Sequence, residues 1–399
     1  MKTSLKNIYL VCYCVYLTAL LLDRILAASN LLMLVSIFIL SILGLLNLRV
    51  HGRKLKKSKV HLLIGGFVLW LVISTCACAF SPITSVSFSF TLKFILFMVI
   101  FFLSARVAHA YALGKQITIA SCIIVGLFLS WRYIADFNGL EAFQHISDLF
   151  NPVTSLRYRE SYGFSHPNGA GNLCYGYLVL LICGSGCVEK KYKNIFNAYS
   201  FITGAISAVM LVSTASRSSI TSLLLFALLI FVMRTYAIKS KIARPLIVLT
   251  CIAVVAFTGL NLNIQDLLSS SNRLTNYTSN IPLLIENKRT IFGFGLVDPE
   301  SFTEFSHYKF AFIDNYYLYI LMTGGIVSLI FFAIGLVMYL QDRLSLREYR
   351  DKQTIRQSII INAALLSLCY TSFFETCLLY PTFAFGFIIW TIALSYSCS

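Results

Sequence analysis

The stretch RVHGRKLKKSK occupies positions 49–59 and carries six Lys/Arg and no acid. Apolar runs flank it, residues 27–48 before and 60–80 after. Each is about twenty residues long, the length a helix needs to cross about 30 Å of hydrocarbon. An acid-free basic connection between two such runs is what the positive-inside rule places on the cytoplasmic face. The segment therefore reads as the inner loop of a chain that crosses a membrane repeatedly.

Outward from this loop the same alternation continues. Residues 8–22 form a first span with Lys2 and Lys6 ahead of it, so the N-terminus is also inside. Ser81-Pro82 breaks the third span at the outer face. Spans over 87–107 and 116–134 follow, and a polar outer segment covers 135–166. The next span reaches 188, and EKKYK at 189–193 returns the chain to the inside. A span ending near 213 is separated by the short STASRSS from one reaching 238. RTYAIKSKIAR at 234–244 is again basic and acid-free, hence inner, and a ninth span ends near 262. A long outer loop, 263–312, leads to a span over 313–340. The charged segment 341–356 is inside, and runs at 357–374 and 376–397 finish the chain. The expectation is an all-α polytopic integral membrane protein of about 12 transmembrane helices, a single membrane domain over 1–399 with both termini cytoplasmic.

Composition agrees. The chain is 58% apolar, 14% aromatic and 12% charged, with a mean hydropathy of +0.79. A soluble domain is about 45–50% apolar and about 25% charged. The alternating pattern of a membrane barrel is absent. The net charge of +16 falls mainly in short connections at every second helix end, which excludes nucleic acid as the partner. Most of the twelve cysteines, among them Cys12, Cys14, Cys76, Cys78 and Cys122, sit inside apolar runs and read as small hydrophobes. Cys76-Ala-Cys78 is too closely spaced for a usual zinc pair. The first span lacks a small-residue cleavage signal and reads as retained. No internal repeat marks an inverted-repeat transporter.

Chemistry must then lie in the few polar segments. The orientation puts Lys93, Arg157, Arg159, His166, Arg217, Arg273, Lys288, Arg289, His307 and Asp314 on or near the outer side. A charge near hydrocarbon costs about 2.5–3.5 kcal/mol on insertion scales, so such groups commonly mark a cavity or pathway. Arg217, between two spans, reads either as a snorkelling arginine or as an anion clamp whose fork matches phosphate oxygens. Arg273 reads as a solvated loop residue or part of the same clamp. Arg157 and Arg159 beside Glu160 read as a surface ion-pair cluster or an electropositive patch, and Lys93 as a snorkelling lysine or a further cation. His166, His307 and Asp314 are available for proton transfer. Against that, a histidine is commonly structural, and Asp314-Asn315 reads equally as a helix N-cap pair. The 163–169 segment, GFSHPNG, reads as a turn in which Pro167 and Asn168 introduce a helix. There is no Walker A, HExxH, GxSxG or DxD-type cluster, which disfavours an ATP-driven pump and a metal-dependent hydrolase. No cofactor and no metal is expected.

These residues form an ordered pattern: Gly-Phe-Ser-His-Pro-Asn from Gly163, then Ser216-Arg217, Asn272-Arg273-Leu274, Gly293-Phe294-Gly295, and Asp314-Asn315-Tyr316 leading to Gly324-Gly325. The pattern, over about 157–340, resembles the bacterial O-antigen polymerase and O-antigen ligase superfamily. It looks especially like the polymerases that build O-antigen, capsule and exopolysaccharide. The resemblance implies a metal-independent glycosyltransferase of the bacterial cytoplasmic membrane, its active site facing outside. Its substrate would be an oligosaccharide repeat unit on undecaprenyl pyrophosphate, with membrane lipid around it and a chain-length regulator as a further partner. Arg217 and Arg273 would hold the pyrophosphate, assisted by Arg157 or Arg159. Many ligases have His-Asn where this chain has Asp314-Asn315, so the base stays open between Asp314 and His307. The alternatives are a ligase that transfers polymer to lipid A core and, in another class, a flippase for lipid-linked oligosaccharides. The flippase would favour polar residues at mid-membrane and short outer loops.

Overall fold

The computed structural model describes residues 2–22, 59–79, 111–136, 159–164, 166–237, 273–296, 315–344, 352–378 and 383–395, with a few positions between 33 and 43, 91 and 98, and at 107–108. Among these residues the regular structure is helical. The helices are α1 (Lys2–Leu22), α2 (Lys59–Ala79), α3 (Gly114–Asp136), α4 (Pro167–Ser185), α5 (Lys193–Ser213), α6 (Arg217–Ala237), α7 (Arg273–Glu286), α8 (Tyr316–Leu344), α9 (Lys352–Thr371) and α10 (Ala384–Ser395), with a 3-10 turn at Lys190–Tyr192. Four segments among the described residues are long and apolar enough to cross a membrane: Gly114–Asp136, Lys190–Ser213, Arg217–Arg234 and Tyr316–Tyr339. Shorter apolar helices cover Lys6–Leu22, Gly65–Cys78, Ile355–Thr371 and Ala384–Ser395.

Helix α4 is the hub. It packs against α3, α5, α6, α9 and α10, and residues on all its sides are buried. Every residue of α10 is buried as well. A helix that is apolar all round belongs inside a bundle, and these two fill that role. Phe387 of α10 meets Tyr13 and Tyr16 of α1, which closes the layer around α3. Buried hydroxyls tie α4 to its neighbours: Tyr177 to Thr203 at 2.7 Å, Tyr175 to Ser367 at 2.5 Å, and Ser219 to Asn172 at 2.7 Å. Without water, helices associate through such bonds and small residues. Cys12, Cys78, Cys122, Cys174, Cys183, Cys187, Cys369 and Cys377 are buried, as expected of small hydrophobes.

Three elements differ from the sequence reading. The long polar loop over 263–312 contains a helix, α7, with Pro282 inside it. The last apolar run becomes helical at Ala384 rather than near 376, because the chain turns from 372 to 378. The run over 313–340 is a helix that starts at Tyr316 and is interrupted at Gly325, with φ 70° and ψ −171°.

The interruption explains the Phe-Gly-Phe-Gly turn. Helix α7 ends with Lys288 left-handed (φ 56°) and the Arg289 N–H on the Leu284 carbonyl at 2.8 Å, a Schellman-type stop. The chain then inserts residues 290–296 against the break in α8. The Phe294 and Gly295 N–H groups donate to the Met322 and Thr323 carbonyls at 2.7 and 2.8 Å, and the Ile326 N–H donates to the Thr290 carbonyl at 2.8 Å. From α2, Trp70 Nε1 donates to the Gly324 carbonyl at 2.8 Å and Ser74 Oγ to the Thr323 carbonyl at 3.1 Å. The groups freed by breaking α8 therefore find partners in the turn and in α2. An apolar surround demands this, since an unsatisfied backbone group there costs several kcal/mol.

Gly325 lies in a backbone region open essentially to glycine alone, and a Cβ there would collide with the Ile291 carbonyl. Gly325→Ala should therefore lose about 1–3 kcal/mol or more of stability. Gly65→Ala in α2, where a Cβ meets nothing within 4 Å, should be neutral or mildly stabilising. Thermal unfolding of both variants in detergent checks the pair, and equal melting temperatures would sink the account of the break.

Candidate functional site

Three helices begin at one end of the bundle, and their first residues build the site. At the start of α4, His166 is the N-cap, with extended backbone (φ −147°, ψ 140°), and Pro167 follows inside the first turn. The His166 Nδ1 accepts the Asn168 N–H at 3.2 Å. Helix α6 starts at Arg217 itself. Asn315 caps α8, its Oδ1 accepting the Leu318 N–H at 2.9 Å. The first two starts are adjacent because Gly171 permits it: a Cβ there would lie 2.6 Å from Ser216 Cβ and 2.9 Å from Thr214 Oγ1. A glycine one turn into α4 thus sets how closely the start of α6 approaches α4.

The segment 159–164 lies over these starts and is tied down at several points. The Glu160 N–H donates to the Ser213 carbonyl at 3.0 Å, and Tyr162 Oη lies 2.6 Å from Ser213 Oγ. Arg132, near the end of α3, donates from Nε to the Tyr162 carbonyl at 2.8 Å and pairs with Asp136. Tyr162 (φ 48°) and Gly163 (φ 72°) are both left-handed, which reverses the chain toward His166.

This arrangement delivers Arg159 to the helix starts. Its Nε donates to the Thr214 carbonyl at 3.2 Å, and its Nη2 donates to Asn168 Oδ1. Asn168 Nδ2 donates in turn to Glu375 Oε1 at 2.6 Å. The amide orientation is chemically fixed, since a guanidinium only donates and a carboxylate only accepts. Glu375 belongs to the 372–378 turn, held to α8 by the Tyr316 N–H on the Ser372 carbonyl at 2.9 Å and Asn315 Nδ2 on the Phe373 carbonyl at 2.8 Å. The same Nδ2 reaches Tyr277 Oη at 2.5 Å, so the first turns of α7 lie beside the cap of α8.

Electrostatically the site brings the guanidiniums of Arg159 and Arg217 near the Glu375 carboxylate, with Glu160 next to Arg159 in the chain. Burial pulls the Arg159 pKa below the ordinary arginine value, Glu375 opposes that shift, and the Arg217 charge reinforces it. His166 is exposed at its edge, yet the protein crowded round it lowers its pKa, and the Arg159 charge adds to the effect. Two guanidiniums beside the N-termini of α4 and α6 suit an anion, because N-terminal N–H groups and guanidinium forks both match phosphate oxygens.

No family model matches the chain, and no curated protein matches it. Its own geometry carries the reading.

The structure brings Arg159, His166 and Arg217 together. Arg273 is the first residue of α7, one turn before Tyr277. Lys93, Arg157, His307 and Asp314 lie outside the described residues. Three further groups stand at the site without a motif to mark them. Asn168, a helix-introducing residue by its sequence context, has an amide that joins Arg159 to Glu375. Glu375 is the only acid between 352 and 399, between two apolar runs. That isolation was the available signal. Arg132, a charge near the end of an apolar span, was the other.

A histidine with a depressed folded pKa binds fewer protons in the native state than in the unfolded one. Its stabilising contribution is complete above the ordinary value of 6.5 and is lost as pH falls through the folded value. His166→Asn keeps a side-chain acceptor for the cap and removes the titration. Between about pH 7 and about pH 5 the wild-type melting temperature should fall more than that of the variant. Parallel pH profiles would show that His166 is not desolvated beside Arg159.

Proposed function

We propose that this protein is a polysaccharide polymerase of the bacterial cytoplasmic membrane. In this reading it joins undecaprenyl-pyrophosphate-linked oligosaccharide repeat units into O-antigen, capsule or exopolysaccharide on the outer face. The observation that carries the proposal is the convergence of Arg159 and Arg217 on the starts of α4 and α6. A pyrophosphate leaving group gathers negative charge as its bond to the sugar breaks. Fixed guanidiniums and helix N-termini stabilise that charge without reorganising. The resemblance of the Gly163 to Gly325 motifs to the polymerase and ligase superfamily supports the same reading, as does the arrangement of about twelve spans with these residues outside.

Within this mechanism Arg217 and Arg273 bind the pyrophosphate with help from Arg159, and Arg157 and Lys93 are further candidates for the same charge. The acceptor sugar approaches from the side of the 372–378 turn. Asn168 holds the Arg159 fork in one orientation, so that its remaining donors are presented rather than rotating freely. A flippase would concentrate polar groups at mid-membrane. Here the charged groups gather at helix starts, which favours chemistry at a surface.

The test is a gel of surface polysaccharide from a deletion strain complemented with variants. Arg217→Ala should remove the ladder and leave single repeat units on the lipid core, a loss of about 10²–10³ in polymerisation rate. Arg217→Lys should rescue poorly, since it keeps the charge and loses the bidentate fork. Loss of all attached glycan with polymer still on the lipid carrier would make the protein a ligase. A normal ladder from Arg217→Ala would defeat the anion-clamp assignment.

A further inference from the structure

We infer that Glu375 is a positioning residue for the anion clamp: it holds the Asn168 amide with its oxygen toward Arg159, and that amide fixes the Arg159 guanidinium for the pyrophosphate. The inference rests on the polymerase reading and deepens it with a residue beyond the stretch over which the chain resembles polymerases. Glu375 acts through two other side chains and touches no reacting atom.

The contacts form a continuous chain. Glu375 Oε1 accepts from Asn168 Nδ2 at 2.6 Å, Asn168 Oδ1 accepts from Arg159 Nη2, and Arg159 Nε donates to the Thr214 carbonyl at 3.2 Å. Two points of attachment set the plane of the guanidinium, and with it the direction of the N–H groups they do not use. One point is a backbone carbonyl at the end of α5, where the Thr214 N–H still bonds the Met210 carbonyl at 3.0 Å. The other is a side-chain amide, whose terminal torsion is broad and roughly two-fold. Turned over, that amide would face Arg159 with its own N–H groups, donor against donor. An acceptor on the far side removes the choice, because a single setting of the amide serves both neighbours. Glu375 supplies that acceptor.

Glu375 is itself held in place. Its N–H donates to the Thr371 carbonyl at 3.0 Å, and its carbonyl accepts the Cys377 N–H at 3.0 Å. Thr371 Oγ1 donates to Ser222 Oγ at 2.7 Å, and Ser222 belongs to α6, the helix that begins with Arg217. The carboxylate is thus tied to the helix that carries the other guanidinium. Its charge also favours the charged form of Arg159 against the burial that opposes it. A guanidinium oriented before the ligand arrives gives up less rotamer freedom on binding, which is how a residue out of contact with the ligand raises affinity.

The experiment uses the full chain in nanodiscs and reads the Kd for undecaprenyl pyrophosphate. The melting temperature of each variant shows that it is folded where binding is measured. Arg159→Ala should weaken binding about tenfold and Glu375→Ala about fivefold, through lost charge-assisted contacts and lost preorganisation. In the Arg159→Ala background, Glu375→Ala should cost less than about twofold more, because the side chain it positions is gone. A Glu375 that only supports the fold would lower affinity by the same factor in both backgrounds, and that result would overturn the inference. Glu375→Gln keeps an acceptor at the same reach and should stay within about threefold of wild type, whereas Glu375→Lys, a donor, should lose at least as much as Glu375→Ala. Wild-type affinity in Arg159→Ala or Glu375→Ala would also overturn it, as would a loss in Glu375→Gln equal to that in Glu375→Ala. If Glu375→Ala does not fold, Glu375→Ser, polar but too short to reach Asn168, replaces it in the same comparison and is read by the same outcomes. Failure of the polymerase reading looks different: wild type makes no polymer, and Arg217→Ala binds undecaprenyl pyrophosphate as wild type does.

Discussion

The amide of Asn168 stands between a guanidinium and a carboxylate, and the architecture of the site depends on that position. Its oxygen takes a hydrogen bond from Arg159, and its nitrogen gives one to Glu375. Hydrogen bonds to charged groups contribute about 1.5–3 kcal/mol each when made, and leaving a buried charge without its partner costs more. The bridge therefore joins chain segments 207 residues apart, since Asn168 and Glu375 differ by that separation. It also holds opposite charges apart.

Asn168 holds that position because of what surrounds α4. It sits at the second residue of a helix whose cap is His166 and whose first turn is pre-set by Pro167. Below it, Asn172 accepts from Ser219 at 2.7 Å, and Thr371 donates to Ser222 at 2.7 Å. These bonds run between α4, α6 and α9, the helices whose ends carry Asn168, Arg217 and the turn to Glu375. A register slip of α6 against α4 would break the Ser219 bond and displace Arg217 together. Polar groups inside an apolar bundle thus specify register, a role well attested for isolated buried amides.

Much of this was legible in sequence, for identifiable reasons. Apolar runs and basic loops marked the helices now seen at Lys193–Ser213 and Arg217–Ala237, because hydrocarbon thickness sets a length and charge sets the ends. His166, Arg159 and Arg217 were singled out because a charge between apolar runs is costly enough to need a reason. The break in α8 was not legible. Thr323-Gly324-Gly325 lies in a strongly apolar run, and a glycine pair inside such a run is compatible with a continuous helix. Only the partner segment, 290–296, explains why the helix stops there. Helix α7 is hard to see in sequence because its stretch is polar. Asn168 looks ordinary alone, and Glu375, an isolated acid between apolar runs, takes its meaning from the contact with Asn168.

The turn at 372–378 answers to two neighbours at once. On one side Asn168 fixes Glu375 to α4. On the other, Asn315 and the Tyr316 N–H fix residues 372 and 373 to the start of α8, and the Tyr317 ring packs on Phe373 with centroids 4.5 Å apart. Helix α8 is in turn pinned at its break by Trp70 and Ser74 of α2 and by the inserted turn. The carboxylate is therefore located by two independent constructions, the α4 hub and the broken α8, neither of which contains it. A side chain on a short turn would ordinarily be placed loosely. This one is held from both flanks by hydrogen bonds to helix ends, so its distance to Arg159 is set by packing over the length of the bundle rather than by the local sequence around Glu375.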